Sequence, residues 1–458
     1  MRFNRRNFMV STASGLAAPA LSIGKGGAIG ANDRIVCAFV GVGGMGQGNM
    51  HDFMRMDDVT VAAVCDVWKH NREEAVAKTE EQESGKAEAY DDFRRVLDLK
   101  HVDVVVVATP DHWHALTAVG ACEAGKDVYV EKPLSLTIYE GRKMVEAARR
   151  NQRVVQMGTQ QRSGKHYQEA VRLIQEGAIG KISRVTCWNY ENSSPLGIGN
   201  PSDSEPPEGL DWDRYLGPAP KVPFNSNRFI HHFRWFWDYS GGMLTDWGIH
   251  HLDIVQWAMN VRAPLSAFAA GFKYHVQDNR ETPDTLEVLY EYPGFLVSFS
   301  HRVLNSFSRP GWNYGIEFFG NDGTLSLNRS GYRVEPETQI EDEEPMPRHL
   351  RAIERSQRTV EPWEKDREPG IGRTRFREGQ GSDQHYSHVR NFLDCVKSRE
   401  KPASDVGIGH RSTTVPHLGN ISLHTGRKIH WNADEEKIVD DAEANGMLRR
   451  EYRAPWNL

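Results

Sequence analysis

Cysteine is scarce in this chain: there are five among 458 residues, Cys37, Cys65, Cys122, Cys187 and Cys395. They are too few and too scattered for a disulfide framework or a paired-cysteine metal site. Cys37 and Cys65 fall within apolar, strand-like runs, where a thiol behaves as a small hydrophobe, so no disulfide is expected. A long apolar run is also missing, and with it any candidate for a membrane-spanning helix. Nor is there a basic excess. Lys and Arg total 56 against 62 Asp and Glu, a net charge of −6, which argues against a nucleic-acid partner that would need a strong positive field. Internal repeats and low-complexity tracts are absent too. What remains, 39% apolar and 26% charged, is the composition of a globular protein of two or three domains.

Residues 1–31 stand apart. Asn4-Arg5-Arg6-Asn7-Phe8-Met9 is a twin-arginine pattern, followed by a weakly apolar stretch from Met9 to Ile23 and small residues up to Ala31. It reads as a Tat export signal, which would place the protein in the periplasm or outside the cell. The Tat route carries proteins already folded in a reducing compartment, in keeping with unpaired cysteines.

From Arg34 to Met157, short apolar runs alternate with amphipathic segments, the signature of βαβ units and a parallel sheet. Strands are predicted at Ile35–Val40, Val59–Cys65, Val102–Ala108, Val128–Val130 and Val154–Met157. Helices are predicted at Asn71–Glu83, Asp92–Leu99, His114–Ala124 and Leu136–Arg150. The fold class is α/β, with a doubly wound dinucleotide-binding domain over 32–157. Residues 158–458 then form a second α/β domain with a large, mostly antiparallel sheet, judged from the longer alternating runs at Ile182–Tyr190, Leu286–Tyr290, Leu296–His301 and Gly315–Phe319. Helical patterning returns at Tyr386–Lys397 and Val406–Thr425. Long loops at 192–234 and 335–383 interrupt it; solvated surface insertions are favoured over substrate lids or subunit arms.

Gly41-Val42-Gly43-Gly44-Met45-Gly46 follows the first strand and opens a helix, and Asp66 ends the second strand. Glycines let the backbone approach a pyrophosphate at a helix N-terminus, and the acid binds ribose hydroxyls. A carboxylate at position 66 repels a 2′-phosphate, so NAD is favoured over NADP. Thr109, Pro110 and His114 follow one strand end, and Glu131 and Lys132 another, on the edge where open α/β sheets bind ligands. All five are assigned to the cofactor. Asp111 stands in the same turn.

The segment Gly241–Asp253 leads into a helix through Met259 and puts Asp246, His250, Asp253 and Trp257 on one helical stripe. That stripe suits a polar pocket in which His relays a proton and Asp orients a hydroxyl. Metal binding by the paired histidines His231, His232, His250 and His251 is disfavoured. Aromatic residues crowd the middle of the chain, and among them Trp235, Trp237 and Tyr239 are candidates to stack on a sugar ring, set against a plain core or interface role.

Together these residues resemble the Gfo/Idh/MocA oxidoreductase family, through GVGGMG, the Glu131-Lys132-Pro133 tripeptide, Gly158–Arg162, Tyr215-Leu216-Gly217-Pro218 and the Asp246/His250 pair. The resemblance implies a Rossmann domain followed by an open-faced sheet domain used for oligomerisation. It also implies that Lys132, Asp246 and His250 surround the reacting substrate carbon, with Arg162 a substrate contact. Asp111 departs from the Asn of many members. A carbohydrate or polyol substrate and a homo-oligomer, a dimer or tetramer, are expected.

Export adds a constraint, because NAD is cytoplasmic and would have to travel already bound. The catalytic cycle should then restore the cofactor, either by oxidising one compound and reducing another, or by transient oxidation that permits glycoside cleavage, elimination or epimerisation. Lys132 is expected to take the hydroxyl proton, His250 to relay it and Asp246 to fix the hydroxyl. A non-catalytic nucleotide-binding scaffold is the remaining alternative.

Overall fold

The valine-rich first half builds a sheet buried on both faces. Strands β1 (Ile35–Val40), β2 (Val59–Cys65), β3 (Glu88–Tyr90), β4 (Val104–Val107), β5 (Asp127–Val130) and β6 (Val155–Met157) pair in parallel in the order β3-β2-β1-β4-β5-β6. The structure, a computed structural model, describes residues 34–81, 86–307, 311–339, 370–371 and 374–458. The expected export signal at 1–31 and the acidic run Glu341–Glu344 lie outside them.

In β4 every residue is a buried valine, and alternate side chains enter opposite cores. Val105 and Val107 pack with α4 (His114–Glu123) and α5 (Ile138–Arg150), through Ala115, Ala118, Met144 and Ala147. Val104 and Val106 belong to the other core, with Met50 and Phe53 of α1 (Gly44–Met54) and Ala75 of α2 (Lys69–Glu81). Helix α3 (Phe93–Leu97) starts where Asp92 caps the Arg94 amide. Helix α5 starts at Ile138 rather than Leu136, because the Thr137 hydroxyl and the Glu140 carboxylate form a reciprocal capping box. Strand β3 is absent from the expected elements. Three residues, two of them exposed, carry too little apolar pattern to be seen.

Beyond α6 (Lys165–Gln175) the chain builds a ten-stranded sheet. Its strands are β7 (Ile182–Tyr190), β8 (Ser266–Phe272), β9 (Thr285–Tyr292), β10 (Phe295–Arg302), β11 (Tyr314–Gly320), β12 (Gly323–Asn328), β13 (Gly331–Pro336), β14 (Arg377–Gln380), β15 (Ile429–Asn432) and β16 (Lys437–Ile438). The order is β14-β13-β12-β11-β7-β10-β9-β8-β15-β16, antiparallel except where β7 and β10 run together. One face packs on α6, α8 (Ile249–Ala258) and α10 (Val406–Thr425), burying Val185, Val288, Val297 and Phe318. On the other face Phe268, Leu289 and Leu296 are exposed.

The two halves are tied by returning chain. Helix α9 (Gln384–Ser398) lies beyond residue 158, yet Val389, Phe392 and Leu393 fill the first domain's core against Phe53 and Tyr129. Arg390 and Lys397 also pair with Asp58 at the foot of β2. The 158–458 segment is thus not confined to the second domain. The 192–234 loop carries α7 (Trp212–Leu216) and lies against the first domain, where the Lys69 amide donates to the Gly209 carbonyl and Trp68 bridges Leu210.

Candidate active site

After β1 the chain turns through Gly41 at φ +83°, a conformation that favours glycine. A Cβ at Gly41 would stand 2.6 Å from the Thr109 nitrogen, and one at Gly46 would stand 1.9 Å from the Gly41 carbonyl oxygen. Backbone contact between the turn and the end of β4 therefore demands both glycines. Gly43 and Gly44 are different: the nearest atom to an added Cβ is 3.7 Å away, and both line a cavity with Met45. Helix α1 begins there without a side-chain cap, so its first-turn N–H groups are available to an anion. Asp66 lines the same cavity. Its Oδ2 accepts from the Val42 amide (3.0 Å) and Asn71 (3.1 Å), and its Oδ1 from the Trp68 amide (2.9 Å). Burial raises its pKa against the pull of those three donors. Open glycine wall, uncapped helix and adjacent acid fit the pyrophosphate and ribose of a dinucleotide.

The cavity holds about 380 Å³ and runs from these glycines to Thr109, Pro110, Asp111, Glu131, Lys132 and Asp246. Glu131 is fixed through Oε1, which accepts from Asn49 (3.0 Å) and Gln160 (3.2 Å). Lys132 then projects from the strand end, and its Nζ donates to Asp246 Oδ1 (2.6 Å) and to the Asp246 carbonyl (3.2 Å). Asp246 sits on a single π-helical turn, Leu244–Gly248, of the kind that often re-aims side chains at functional sites. Arg234 stands 3.3 Å from its Oδ2. Burial alone would raise the Asp246 pKa, but Lys132 and then Arg234 hold it well below the usual carboxylate range.

Two expected residues stand behind the wall. His114 bridges strand ends, with Nδ1 2.8 Å from the Pro133 carbonyl and Nε2 2.9 Å from that of Thr109. His250 is buried one turn past Asp246, with its ring 5.8 Å from that of Trp247 and Nε2 3.5 Å from an Arg329 Nη2. Burial, followed by Arg329 and Lys132, pushes its pKa well below the usual value, so the ring is neutral. Among the described residues its Nδ1 has no hydrogen-bond partner.

The other substrate-contact assignments need correction. Arg162 does not reach the cavity: its Nε donates to Asp253 Oδ2 (2.7 Å), its Nη2 to Oδ1 (2.8 Å), and its guanidinium lies over Trp257. Ser412 completes the Asp253 clamp at 2.5 Å. A buried guanidinium is costly unless paired, and this one is committed through Nε and Nη2 to Asp253. The helical stripe is therefore divided, Asp246 going to the cavity, His250 behind its wall, and Asp253 and Trp257 to the core. Trp235 is buried beneath Arg280, Trp237 packs on His424, and Tyr239 is sealed among His112, Tyr215 and Arg228. None of the three lines the cavity, since the apolar gain of burying the rings prevails.

The aromatic wall comes instead from Phe93, Trp113, Tyr215, Phe229, Phe233 and Trp456. The expected reading of 192–234 as solvated insertion is likewise corrected, because Tyr215, Phe229, His231, Phe233 and Arg234 of that loop close the cavity. Arg234, His231 and Trp456 had no local motif to mark them. Among the described residues, no group of three or more His, Cys, Asp or Glu side chains is placed to hold a metal. Nor is any helix there long and apolar enough to cross a membrane. The five cysteines are buried and unpaired.

Two family models match the chain: the Gfo/Idh/MocA oxidoreductase family's NAD-binding Rossmann fold over residues 35–159, and its C-terminal alpha/beta domain over 147–275 and 381–458. A glycosyl hydrolase family 109 protein of Shewanella pealeana is 29% identical over 157 residues, 33% of this chain and 34% of that protein. An alpha-N-acetylgalactosaminidase of Shewanella oneidensis is 28% identical over 148 residues, 31% of this chain and 32% of that protein. The chain thus matches about a third of the length of these curated relatives. Among solved structures, the WlbA dehydrogenase from Bordetella pertussis, in complex with NADH and UDP-GlcNAcA, superposes with a TM-score of 0.60 at 19% identity, covering 88% of this chain and 100% of that one. The aldose-aldose oxidoreductase from Caulobacter crescentus, complexed with glycerol, gives 0.58 at 19% identity, covering 87% and 99%. At such identity the likeness is one of fold.

Proposed function

Because the chain belongs to the Gfo/Idh/MocA oxidoreductase family, with an NAD-binding Rossmann domain and a C-terminal α/β domain, we propose that it is an exported enzyme acting on a hydroxyl of a sugar, glycoside or polyol with tightly held NAD. The observation that carries this reading is the Lys132–Asp246 pair, tethered at the carboxyl edge of the sheet in the same cavity as the glycine turn. Gly43, Gly44 and Asp66 would hold the dinucleotide, whose nicotinamide supplies hydride acceptance and return when bound.

The roles of the chain's own groups follow from their placement. Lys132 Nζ lines the cavity and is aimed by its hydrogen bond to the ionised Asp246, and it takes the hydroxyl proton. His250, kept neutral by burial and by Arg329, stands behind the wall one turn past Asp246 and relays that proton. Asp246 aims Lys132 and fixes the substrate hydroxyl.

A second reading, glycoside cleavage without net redox change, is favoured by the names of the glycosyl hydrolase relatives. Transient oxidation of a ring hydroxyl acidifies the neighbouring C–H and permits loss of the aglycone. The open sheet face with Phe268, Leu289 and Leu296 supports a homo-oligomer. The test is to load the purified protein with NAD, challenge it with sugars, polyols and glycosides, and follow nicotinamide absorbance and product formation. Wild-type protein should respond, whereas Lys132→Ala should retain nucleotide and lose the response. A mutant as fast as wild type would reject the assignment.

A further inference from the structure

The proposed chemistry uses one end of the cavity, where Lys132 and Asp246 stand. The other end is walled by Phe93 after β3, by Trp113 and Thr117 after β4, and by Trp456 from remote chain. In a sheet ordered β3-β2-β1-β4-β5-β6 the β1–β3 half takes the adenosine side of a dinucleotide, so this end falls to the base beyond the ribose at Asp66. The Trp456 ring meets that of Trp113 edge-on, 4.7 Å between centroids at 81°, and stands 6.5 Å from Phe93. Thr117 adds a polar group to this apolar wall. It is fully buried, and among the described residues its hydroxyl has no hydrogen-bond partner. A buried hydroxyl left unpaired is costly, which points to a ligand group that completes it.

We propose that the 449–458 segment is a clasp on the dinucleotide: Trp456 packs on the adenine ring, Thr117 bonds its edge, and the rate at which the cofactor leaves is set there. The inference rests on the NAD reading above and deepens it, because it names the residues that make retention tight. Trp456 can serve this way because the segment that carries it is pinned on both sides of the cavity mouth. On the Rossmann side, Arg450 donates through Nε to Glu140 Oε1 (2.9 Å) and through Nη2 to the His112 carbonyl (2.9 Å), and the Tyr452 hydroxyl donates to the same Glu140 oxygen (2.6 Å). On the side of the 192–234 loop, Arg453 donates through Nε to the Gly217 carbonyl (2.9 Å) and through Nη1 to Asp213 Oδ1 (2.6 Å), and its amide donates to the Pro218 carbonyl (3.0 Å). The Trp456 amide then turns back to the Arg453 carbonyl (3.0 Å), and the indole meets the wall.

The chemistry of the wall suits a purine. An aromatic base presents a flat π-face that packs on indole and phenyl rings, and a polar edge that needs a donor or acceptor, which a hydroxyl supplies in either sense. The Arg94 guanidinium lies 5.2 Å from the Trp456 ring and donates to Asp92, so it holds the indole in place while its charge is already paired. The glycine turn and Asp66 bind the parts common to any such dinucleotide, whereas Trp456 depends on chain that follows the second sheet. Retention is thereby coupled to the docking of the two domains through Arg450 and Arg453.

The test uses the full chain and two probes, NAD and nicotinamide mononucleotide, which lacks the adenylate. Release of labelled NAD into an excess of unlabelled NAD gives the off-rate, and calorimetry gives both affinities. Trp456→Ala should speed NAD release about 10- to 100-fold and leave mononucleotide affinity unchanged. Trp456→Phe should restore most of the retention, Thr117→Val should weaken NAD about fivefold with no effect on the mononucleotide, and Arg453→Ala should speed NAD release with Trp456 still present. Trp456→Ala that holds NAD as the wild type does, or that loses both probes equally, would overturn the proposal. A wild type that binds NAD no more tightly than the mononucleotide, while a sugar still reduces its nicotinamide, overturns it and leaves the hydride reading standing. If neither probe binds, both fall.

Discussion

Lys132–Asp246 and Arg162–Asp253 are two short cation–carboxylate pairs anchored seven residues apart on one helical segment, and they do opposite work. Arg162 and Asp253 are 8% and 1% exposed; Nε and Nη2 of the guanidinium bond the carboxylate, Ser412 bonds it too, and the Trp257 ring lies under the guanidinium. Lys132 and Asp246 are 17% and 14% exposed and share a cavity with the glycine turn. The sealed pair does not line the cavity. The open pair keeps ammonium hydrogens and carboxylate lone pairs free, which is what chemistry requires.

The largest effect is expected at the sealed pair. Arg162→Ala should destabilise the fold by about 3–5 kcal/mol, because it strands a buried carboxylate; chemical denaturation would read this, and a loss within error of zero would mean that Asp253 finds another cation. Lys132→Ala should do the reverse. Folding stability should change little, while turnover falls about 100-fold or more, roughly 3 kcal/mol on the barrier, with bound nucleotide retained. Steady-state kinetics beside a melting curve separates the two effects. Asp66→Ala sharpens the nucleotide end: NAD binding should weaken about tenfold, or ~1.4 kcal/mol, and discrimination against NADP should relax, as measured by calorimetry. Unchanged affinities would make Asp66 purely structural.

A smaller effect belongs to a third, intermediate pair. Burial would raise Asp58, but Arg390 and then Lys397 bring it down to about 2. A depressed folded-state pKa stabilises above the unfolded value and is lost as pH falls through the folded one. With allowance for solvent screening, Asp58→Asn should cost about 1 kcal/mol, level from pH 8 to 5 and shrinking below pH 4. Denaturation at several pH values checks the sign. A difference that grows on acidification would contradict the pairing.

What could be read from the sequence was local. Gly41–Gly46 and Asp66 declared themselves because strand, turn, helix and acid are contiguous, and strands such as Ile35–Val40 and Val59–Cys65 lie where their apolar runs put them. The Gln384–Ser398 helix was visible as a helix, but its partners Met50, Phe53 and Tyr129 were not, since a helical face does not say which core it enters. Asp253 was misread for a related reason. Regular helical spacing put it beside Asp246, whereas the π-helical turn and the remote Arg162 divide the stripe. Arg234 and Trp456 reach the cavity from distant chain, and no spacing rule connects them to Lys132. Trp235, Trp237 and Tyr239 had the chemistry of sugar platforms and the environment of core residues, and only packing separates the two.

The proposed closed redox cycle requires a nicotinamide cofactor held tightly enough to stay with the protein. The direct measurement is to purify the protein without added nucleotide, denature it and quantify released NAD(H) and NADP(H) by mass spectrometry. Near-stoichiometric NAD or NADH, with little NADP(H), is the predicted result. Nucleotide-free protein that rebinds NAD only weakly would contradict it, and with it the closed redox cycle and the export that cycle was meant to serve.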